Sequence, residues 1–348
     1  MDIDERINLI MRDPTIEVVT YDELKFILET VSYPKHYIGL EISGMLHLGS
    51  LVLTGFKIND FIKAKVHSTV FLADWHTFIN NKLDRNWEKI SELSNYYYDA
   101  FKFFCPEVQI VLGSKLYENT NDYWENFIRF SKHMTLSRTM RSLAIMGRTQ
   151  SEKLDFSQLI YPLMQAVDIK ALDLDIVHAG MDQRKIHMLV REIFPKLGWK
   201  VPISVHHSLL PGLSEPTILG LPGEKSEDIK ISSKMSKSKP DSGITIHDSE
   251  KIIEDKVYKA FCPVYTENNP ILSLVRFIIF HQFSEFVIER PSRFGGNISY
   301  MNYNDVERDY LKKKIHPLDL KKATAVYINR IVQPIRDHFS DKIPNFNN

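Results

Sequence analysis

Two short segments carry groups suited to phosphate chemistry. The first, Gly44-Met45-Leu46-His47-Leu48-Gly49-Ser50, sets an imidazole and two glycines beside the start of a helical run. Gly44 relaxes the turn and Gly49 admits an anion close to the backbone. The N–H groups of a helix opening at Leu48 favour negative charge. The second, Lys234-Met235-Ser236-Lys237-Ser238, places two ammonium groups three residues apart in a stretch rich in Gly, Pro, Ser and Lys. Such a strip can stabilise charge that develops as pyrophosphate leaves. Alone, each segment also fits a plain strand-to-helix turn or a solvated lysine loop. Paired in this order, they point to one ATP site.

A third group of residues bears on the second substrate. Tyr161, Gln165 and Asp168 fall at i, i+4 and i+7, along one face of a helix. Leu163, Met164, Ala166, Val167 and Ile169 make the rest of that helix apolar, and Pro162 is placed in its first turn. Polar groups on such a helix need partners or a ligand; a self-satisfied buried network is the alternative. Gly180-Met181-Asp182-Gln183 follows a strand end and opens another helix, which turns Gln183 toward the same crevice.

These residues need a frame. Thr20-x-x-Glu23 is a capping box for a helix over 21–30. Tyr37–Leu40, Thr69–Ala73, Val108–Leu112 and Leu174–His178 read as strands, the later ones continuous apolar runs of the kind buried on both faces. Helical spacing separates them, for example over 48–64. The order implies an α/β fold with a Rossmann-like parallel sheet and a ligand crevice at the strands' carboxyl ends. His47, Asp74 and Asp182 sit just past such ends. Composition shifts after residue 210, and from 249 onward four helices are expected, with Pro334 inside the last. A catalytic domain over 1–245, with an insertion about 114–155 and a lysine loop about 223–243, then precedes a mostly helical domain over 246–348.

The chain has 348 residues, enough for about two domains. Its 44 basic and 44 acidic residues cancel, which argues against a uniformly basic coat but leaves room for a local nucleic-acid face. No apolar run is long enough to span a membrane, and the acidic start Met1-Asp2-Ile3-Asp4-Glu5 lacks a secretory pattern, so a cytoplasmic setting is expected. Cys105 and Cys262 suit buried thiols in a reducing compartment.

The chain resembles the tyrosyl-tRNA synthetases of the archaeal/eukaryotic type, within class I, from about Tyr37 to Phe339. The resemblance rests on Tyr37-Ile38-Gly39-Leu40-Glu41 ahead of the His47 turn, Tyr161-x3-Gln165-x2-Asp168, Gly180-Met181-Asp182-Gln183-Arg184-Lys185, and Lys234–Ser238. Arg290-Pro291-Ser292-Arg293-Phe294-Gly295-Gly296 and His316-Pro317-Leu318-Asp319 resemble the family's anticodon-binding region.

The resemblance implies a two-step reaction: ATP and L-tyrosine give tyrosyl-adenylate, and tRNA(Tyr) then accepts the tyrosyl group. It implies that Tyr37 and Asp168 hold the phenolic hydroxyl and that Tyr161, Gln165 and Gln183 hold the α-amino group. Ala73 and His76 would lie near the ring. It assigns His47, Gly49, Ser50, Lys234 and Lys237 to the chemistry at ATP, and Asp182 to the ribose. It assigns Arg138, Arg184 and Lys185 to the acceptor stem, and Phe294, His316 and Asp319 to the anticodon. Mg2+ arrives with ATP rather than in a protein cage, and the family forms homodimers. Two departures stand out: Ser50 where the family's signature usually has a second histidine, and Tyr117 where it often has glutamine. The sister tryptophanyl enzyme and a non-catalytic tRNA-binding paralogue are the alternatives. Asp168 with Tyr37 argues against the first, since indole offers only a donor; the intact lysine segment argues against the second.

Overall fold

The computed structural model describes residues 1–146, 154–216, 234–235 and 242–342. Its contacts divide the chain into two compact units, one of residues 1–44 with 57–208, the other of 45–56 with 209–348.

The first unit is built on six strands: β1 (Thr15–Val19), β2 (Lys35–Leu40), β3 (His67–Leu72), β4 (Gln109–Leu112), β5 (Ile176–Gly180) and β6 (Ile203–His207), in the order β1-β6-β5-β2-β3-β4. All neighbours are parallel except β1, which runs antiparallel to β6 at one edge. The helices are α1 (Ile3–Met11), α2 (Tyr21–Thr30), α3 (Thr54–Lys63), α4 (Asp74–Ile79), α5 (Trp87–Phe104), α6 (Gly113–Asn119), α7 (Tyr123–Ser131), α8 (Leu136–Ser142), α9 (Phe156–Ala171) and α10 (Arg184–Ile193). The apolar runs read as strands lie in the sheet, and α2 opens with the Thr20/Glu23 capping box. Strands β1 and β6 carry no clear run and are found only here.

Alternation along the central strands feeds two cores. On β5, Ile176 packs with Ile7, Ile10, Leu24, Phe61 and Val205. The next residue, Val177, packs with Tyr37, Phe71, Tyr161, Val167 and Val190. Helix α9 buries Leu163, Met164, Val167 and Ile169 in that second core, each stabilising by about 1.5–3 kcal/mol. It starts six residues before Pro162, on the Asp155/Gln158 capping box, so Pro162 lies inside the helix and not in its first turn.

Histidines are buried on both faces of the sheet. The His178 and His207 rings on β5 and β6 share a 2.8 Å hydrogen bond, and His187 on α10 shares one of 3.0 Å with His206. His36 stacks on Phe61 at 3.9 Å between centroids. Each ring pair holds one shared proton; a second between the same two nitrogens would set two N–H donors against each other in a buried place. Burial pushes His36 down to about 3 and His207 to about 4, and lowers His178 and His187 far below the usual imidazole range.

Among the described residues the second unit holds the turn around His47, four longer helical segments and a hairpin of β7 (Phe286–Ile288) and β8 (Ile298–Tyr300). The helices are Glu250–Lys259, 270–282 with a π-turn at Val275–Ile279, Tyr303–Leu311 and Pro317–His338, the last continuing through Pro334. The expected run over 48–64 is a π-turn at Leu48–Leu53 leading into α3. Cys105 is buried as expected, whereas Cys262 is only half-buried and meets the Tyr310 hydroxyl at 3.2 Å. Among the described residues no helix is long and apolar enough to cross a membrane.

The buried imidazoles set a pH dependence. Their folded pKa values lie below the unfolded ~6.5, so the unfolded chain takes up the extra protons. Stability is therefore complete above about pH 6.5 and falls as pH drops toward 4, by roughly 1.4 kcal/mol per pH unit for each such histidine. Urea unfolding followed at pH 7 and pH 5 is expected to show the lower midpoint at pH 5.

Candidate active site

The polar face of α9 meets three sets of partners within the first unit. Asp168, 1% exposed, is the deepest. Its Oδ1 accepts the Tyr123 hydroxyl from α7 at 2.7 Å. Its Oδ2 takes a long contact from the Tyr117 hydroxyl on α6, at 3.5 Å, and lies 3.5 Å from His76 Nε2 on α4. Burial pushes its carboxyl up to about 8, against the two phenol donors. Tyr37 on β2 is also buried, and burial with the nearby Asp168 charge raises its phenol far above the ordinary range. Asp168 and Tyr37 are thus a carboxyl and a phenol that are both buried in the first unit. The His76 ring stands edge-on to Tyr161 at 4.6 Å. Ala73, at the exit of β3, belongs to the same buried cluster as Tyr37, Phe71 and Tyr161.

One turn away along α9 the chemistry changes. The Tyr161 hydroxyl donates to Glu41 Oε2 at 3.4 Å, and Asn80 Nδ2 donates to both oxygens of Glu41, at 3.0 and 2.9 Å. Gln165 Nε2 donates to Gln183 Oε1 at 3.3 Å, and Gln183 Nε2 to the Ile145 carbonyl at 3.0 Å. Gln165 Oε1 is buried with no hydrogen-bond partner. A carboxylate, a phenol and amide oxygens make this end acceptor-rich, the complement of an ammonium group. Asp182 is half-buried in the Met181–Gln183 turn that follows β5.

Sequence reasoning misses Glu41, Tyr123 and Asn80 as members of this cluster. Glu41 sits one residue beyond β2 and carries a signal, since Tyr37 and Glu41 bracket the strand's end. Tyr123 and Asn80 have none: only the packing of α7 and α4 on α9 brings them in. Asp74, read as a carboxylate at the crevice, is consumed structurally. It accepts the Trp75 and Ser114 backbone N–H groups at 2.7 and 2.9 Å and the Ser114 hydroxyl at 2.6 Å. Gly113 permits this, because a Cβ there would lie 2.8 Å from Asp74 Oδ1.

Both signature segments lie in the second unit. Gly44, just before it, has φ 147°, a conformation that favours glycine. His47 caps its own helix: its Nδ1 accepts the N–H groups of Gly49 and Ser50 at 3.1 and 3.3 Å. Ser50 completes the box, its Oγ accepting the His47 N–H at 2.9 Å. Nδ1 must therefore be the unprotonated nitrogen, so Nε2 carries the proton and is the donor edge. The N–H groups expected to meet a phosphate are instead engaged by the imidazole. Gly49 serves the ring, since a Cβ there would stand 3.1 Å from His47 Cε1. Ser50 thereby acquires a role that a histidine is not needed to fill.

The second signature is anchored beside the first. His47 bridges to Thr245, and Leu48 N–H donates to the Ile244 carbonyl at 3.0 Å. Lys234 bridges to Pro211, and Met235 N–H donates to the Leu210 carbonyl at 2.8 Å, while Leu210 Cβ faces the Gly49 position at 3.9 Å. Lys234 is half-buried and Met235 buried against Gly243. Asp248 ties the strip's exit by accepting from Thr245 and from Lys256 Nζ. Lys237 lies outside the described residues, as do residues 217–233 and 236–241. Among the described residues no group of three or more His, Cys, Asp or Glu side chains is placed to hold a metal ion.

Of the residues assigned to RNA, Lys185, Phe294 and His316 are exposed, and Arg138, Arg184 and Asp319 are half-buried. Arg138, at the start of α8, forms a two-pronged pair with Glu192 of α10, and Glu192 is held down to about 2, chiefly by that hydrogen bond. Arg184 opens α10 and pairs through Nε with Glu17, at 2.8 and 3.0 Å; Lys185 beside it is exposed. Phe294 is 58% exposed, with the Arg293 guanidinium over its ring at 4.9 Å. His316 and Asp319 stand at the start of the helix Pro317–His338, where His316 Nδ1 caps Leu318 N–H at 3.2 Å.

The profile of the tRNA synthetases class I (W and Y) matches residues 32–333. The chain belongs to this family. A tyrosine–tRNA ligase of Pyrococcus abyssi is 44% identical over 97% of this chain and 96% of its own. The crystal structure of tyrosyl-tRNA synthetase complexed with L-tyrosine from Pyrococcus horikoshii superposes with TM-score 0.91 at 44% identity, covering 98% of this chain and 97% of that one. The corresponding Archaeoglobus fulgidus complex gives TM-score 0.85 at 36% identity, covering 97% and 99%. Family membership accounts for the parallel sheet and for the order of the two signatures, and it brings the use of ATP with it.

The packing of the second signature can be tested at Gly243. A Cβ there would sit 2.6 Å from Met235 Cγ, so Met235 must leave its place. Gly243→Ala is expected to slow tyrosine-dependent pyrophosphate exchange at least about tenfold with little change in the KM for tyrosine, the pattern of an interaction made in the transition state.

Proposed function

We infer that this chain is a tyrosine–tRNA ligase of class I: it activates L-tyrosine with ATP and transfers it to the 3′ end of tRNA(Tyr). The observation that carries this reading is the burial of a carboxyl, Asp168, and a phenol, Tyr37, in the core beneath α9, in a family whose members serve tryptophan or tyrosine. A carboxyl and a phenol can satisfy both the donor and the acceptor of one substrate hydroxyl. Phenylalanine would leave them unpaired in a buried place, which is the physical basis of its rejection. Tyrosyl-tRNA synthetase is itself the established example of this effect, with a discrimination of ~10⁵.

In the first step the tyrosine carboxylate attacks the α-phosphorus of ATP, and pyrophosphate leaves. Tyr161, Gln165 and Gln183 hold the α-amino group, with Glu41 supplying the countercharge. Ala73 and His76 border the ring, and Asp182 takes the ribose. The Nε2 edge of His47 donates to the phosphates, with Gly49 and Ser50 holding the imidazole in that tautomer. Lys234 and Lys237 balance the charge of the departing pyrophosphate. Mg2+ travels with ATP, held by phosphate oxygens and water. In the second step a hydroxyl of the terminal adenosine of tRNA attacks the acyl carbon, and AMP leaves. Neither step needs an enzyme nucleophile; position and charge suffice.

Arg138, Arg184 and Lys185 contact the acceptor stem. Phe294 stacks on an anticodon base, and His316 and Asp319 read base edges, as single-stranded RNA allows. The working enzyme is a cytoplasmic homodimer, with catalytic functions over 1–245 and anticodon binding over 246–348.

Amino-acid-dependent exchange of pyrophosphate into ATP tests the main reading. Tyrosine is expected to support it; exchange with tryptophan alone, or with neither, would sink it. Asp168→Ala is expected to narrow the tyrosine-over-phenylalanine preference by at least about a hundredfold, consistent with loss of a hydrogen bond to a buried ionisable group. Arg138→Ala is expected to slow tRNA charging about tenfold while leaving the exchange reaction within twofold; equal effects on both would remove Arg138 from the RNA surface.

A further inference from the structure

Tyr117 stands where the family often has glutamine, and its surroundings give it work. Asp168 Oδ1 is fully engaged by Tyr123 at 2.7 Å. Oδ2 is not. It has the Tyr117 hydroxyl and His76 Nε2 each at 3.5 Å, and the Tyr117 hydroxyl lies 3.4 Å from His76 Nδ1. His76 Nε2 is buried and makes no hydrogen bond, in a side chain only 2% exposed. Two polar side chains therefore flank one carboxylate oxygen, each only at long range. Buried polar groups left this way carry a standing cost that a ligand hydroxyl can relieve.

The phenol is held there by construction. Its ring leans on Tyr123 at 4.5 Å and 46°. Gly113 leaves room for the hydroxyl, since a Cβ at that position would come within 3.3 Å of it. A phenol can donate once and accept as well, so with the imidazole proton on Nδ1 it accepts from His76 and donates to Asp168 Oδ2.

We propose that Tyr117 is a positioning residue for tyrosine selection, its hydroxyl linking His76 to Asp168 Oδ2 and so orienting that oxygen toward the substrate's phenol. The proposal rests on the tyrosine–tRNA ligase reading and deepens it. Tyr117 acts through Asp168 and His76; it holds the acceptor in place, and it makes the hydroxyl end of this chain's site depend on a group outside the Tyr37/Asp168 pair.

The test is pyrophosphate exchange on the full chain with Tyr117→Phe and Tyr117→Gln, each checked for folding by circular dichroism and thermal melting. Tyr117→Phe keeps the ring and loses the link. Its KM for tyrosine is expected to rise about tenfold, the scale of one hydrogen bond. The kcat and the KM for ATP are expected to stay within twofold, and the preference for tyrosine over phenylalanine to fall about tenfold. Tyr117→Gln, which restores a side chain with both a donor and an acceptor, is expected to retain that preference to within about threefold. A Tyr117→Phe enzyme with unchanged tyrosine KM and preference overturns the proposal, as does one in which kcat and the KM for ATP worsen in step. If Tyr117→Phe does not fold, Tyr117→Gln decides alone: preference retained supports the link, preference lost overturns it. A wild-type chain without tyrosine-dependent exchange would instead sink the functional reading itself.

Discussion

One buried carboxylate constrains the first unit more than any other group. Asp168 sits on an apolar helix with almost no access to water. A charge or polar acid in such a place must be surrounded by donors or be neutral. The structure supplies donors from three elements: Tyr123 on α7, Tyr117 on α6 and, at longer range, His76 on α4. Tyr37 on β2 is close enough to feel its charge. The helices therefore have to pack on α9 in a register that delivers these groups. The glycine at 113 and the diversion of Asp74 into backbone bonds follow from that packing. Under the proposed function, selectivity for a hydroxylated ring would be a property of the core and not of a surface loop.

The His47 turn works on a different principle. The imidazole, and not a ligand, satisfies the first N–H groups of its helix. Those bonds fix which ring nitrogen carries the proton, so the helix start pre-sets a donor. Ser50 closes the box with one hydroxyl. A residue that departs from the family pattern thus fits its place for a local reason. The strip carrying Thr245 and Ile244 bonds to this turn, and Asp248 with Lys256 fixes its root, so the two signatures share one backbone scaffold inside the second unit.

Much of the frame is legible because local rules govern it. Thr20 and Glu23 announce a helix since their side chains bond backbone groups three residues away, whatever lies around them. Thr69–Leu72 announces a buried strand since both its faces are apolar. Pro162 is misread as a first-turn residue because the true helix start, Asp155 with Gln158, lies upstream of the apolar pattern. Strands β1 and β6 stay hidden because histidines and Glu17 interrupt their apolar pattern. His206 is buried through such bonds, between half-buried Glu17 and His187.

By itself the sequence determined the alternation of strands and helices, the two signature segments and the polar stripe of α9, because spacing of three, four or two residues is enough to put side chains on one face. Tertiary structure alone decided which groups meet Asp168 and Glu41, and that Arg138 and Arg184 are each held by a carboxylate. Those outcomes depend on contacts between residues tens to more than a hundred positions apart, such as Glu41 with Tyr161 or Glu17 with Arg184. No local periodicity encodes the angle at which one element packs on another, and that angle places the partners.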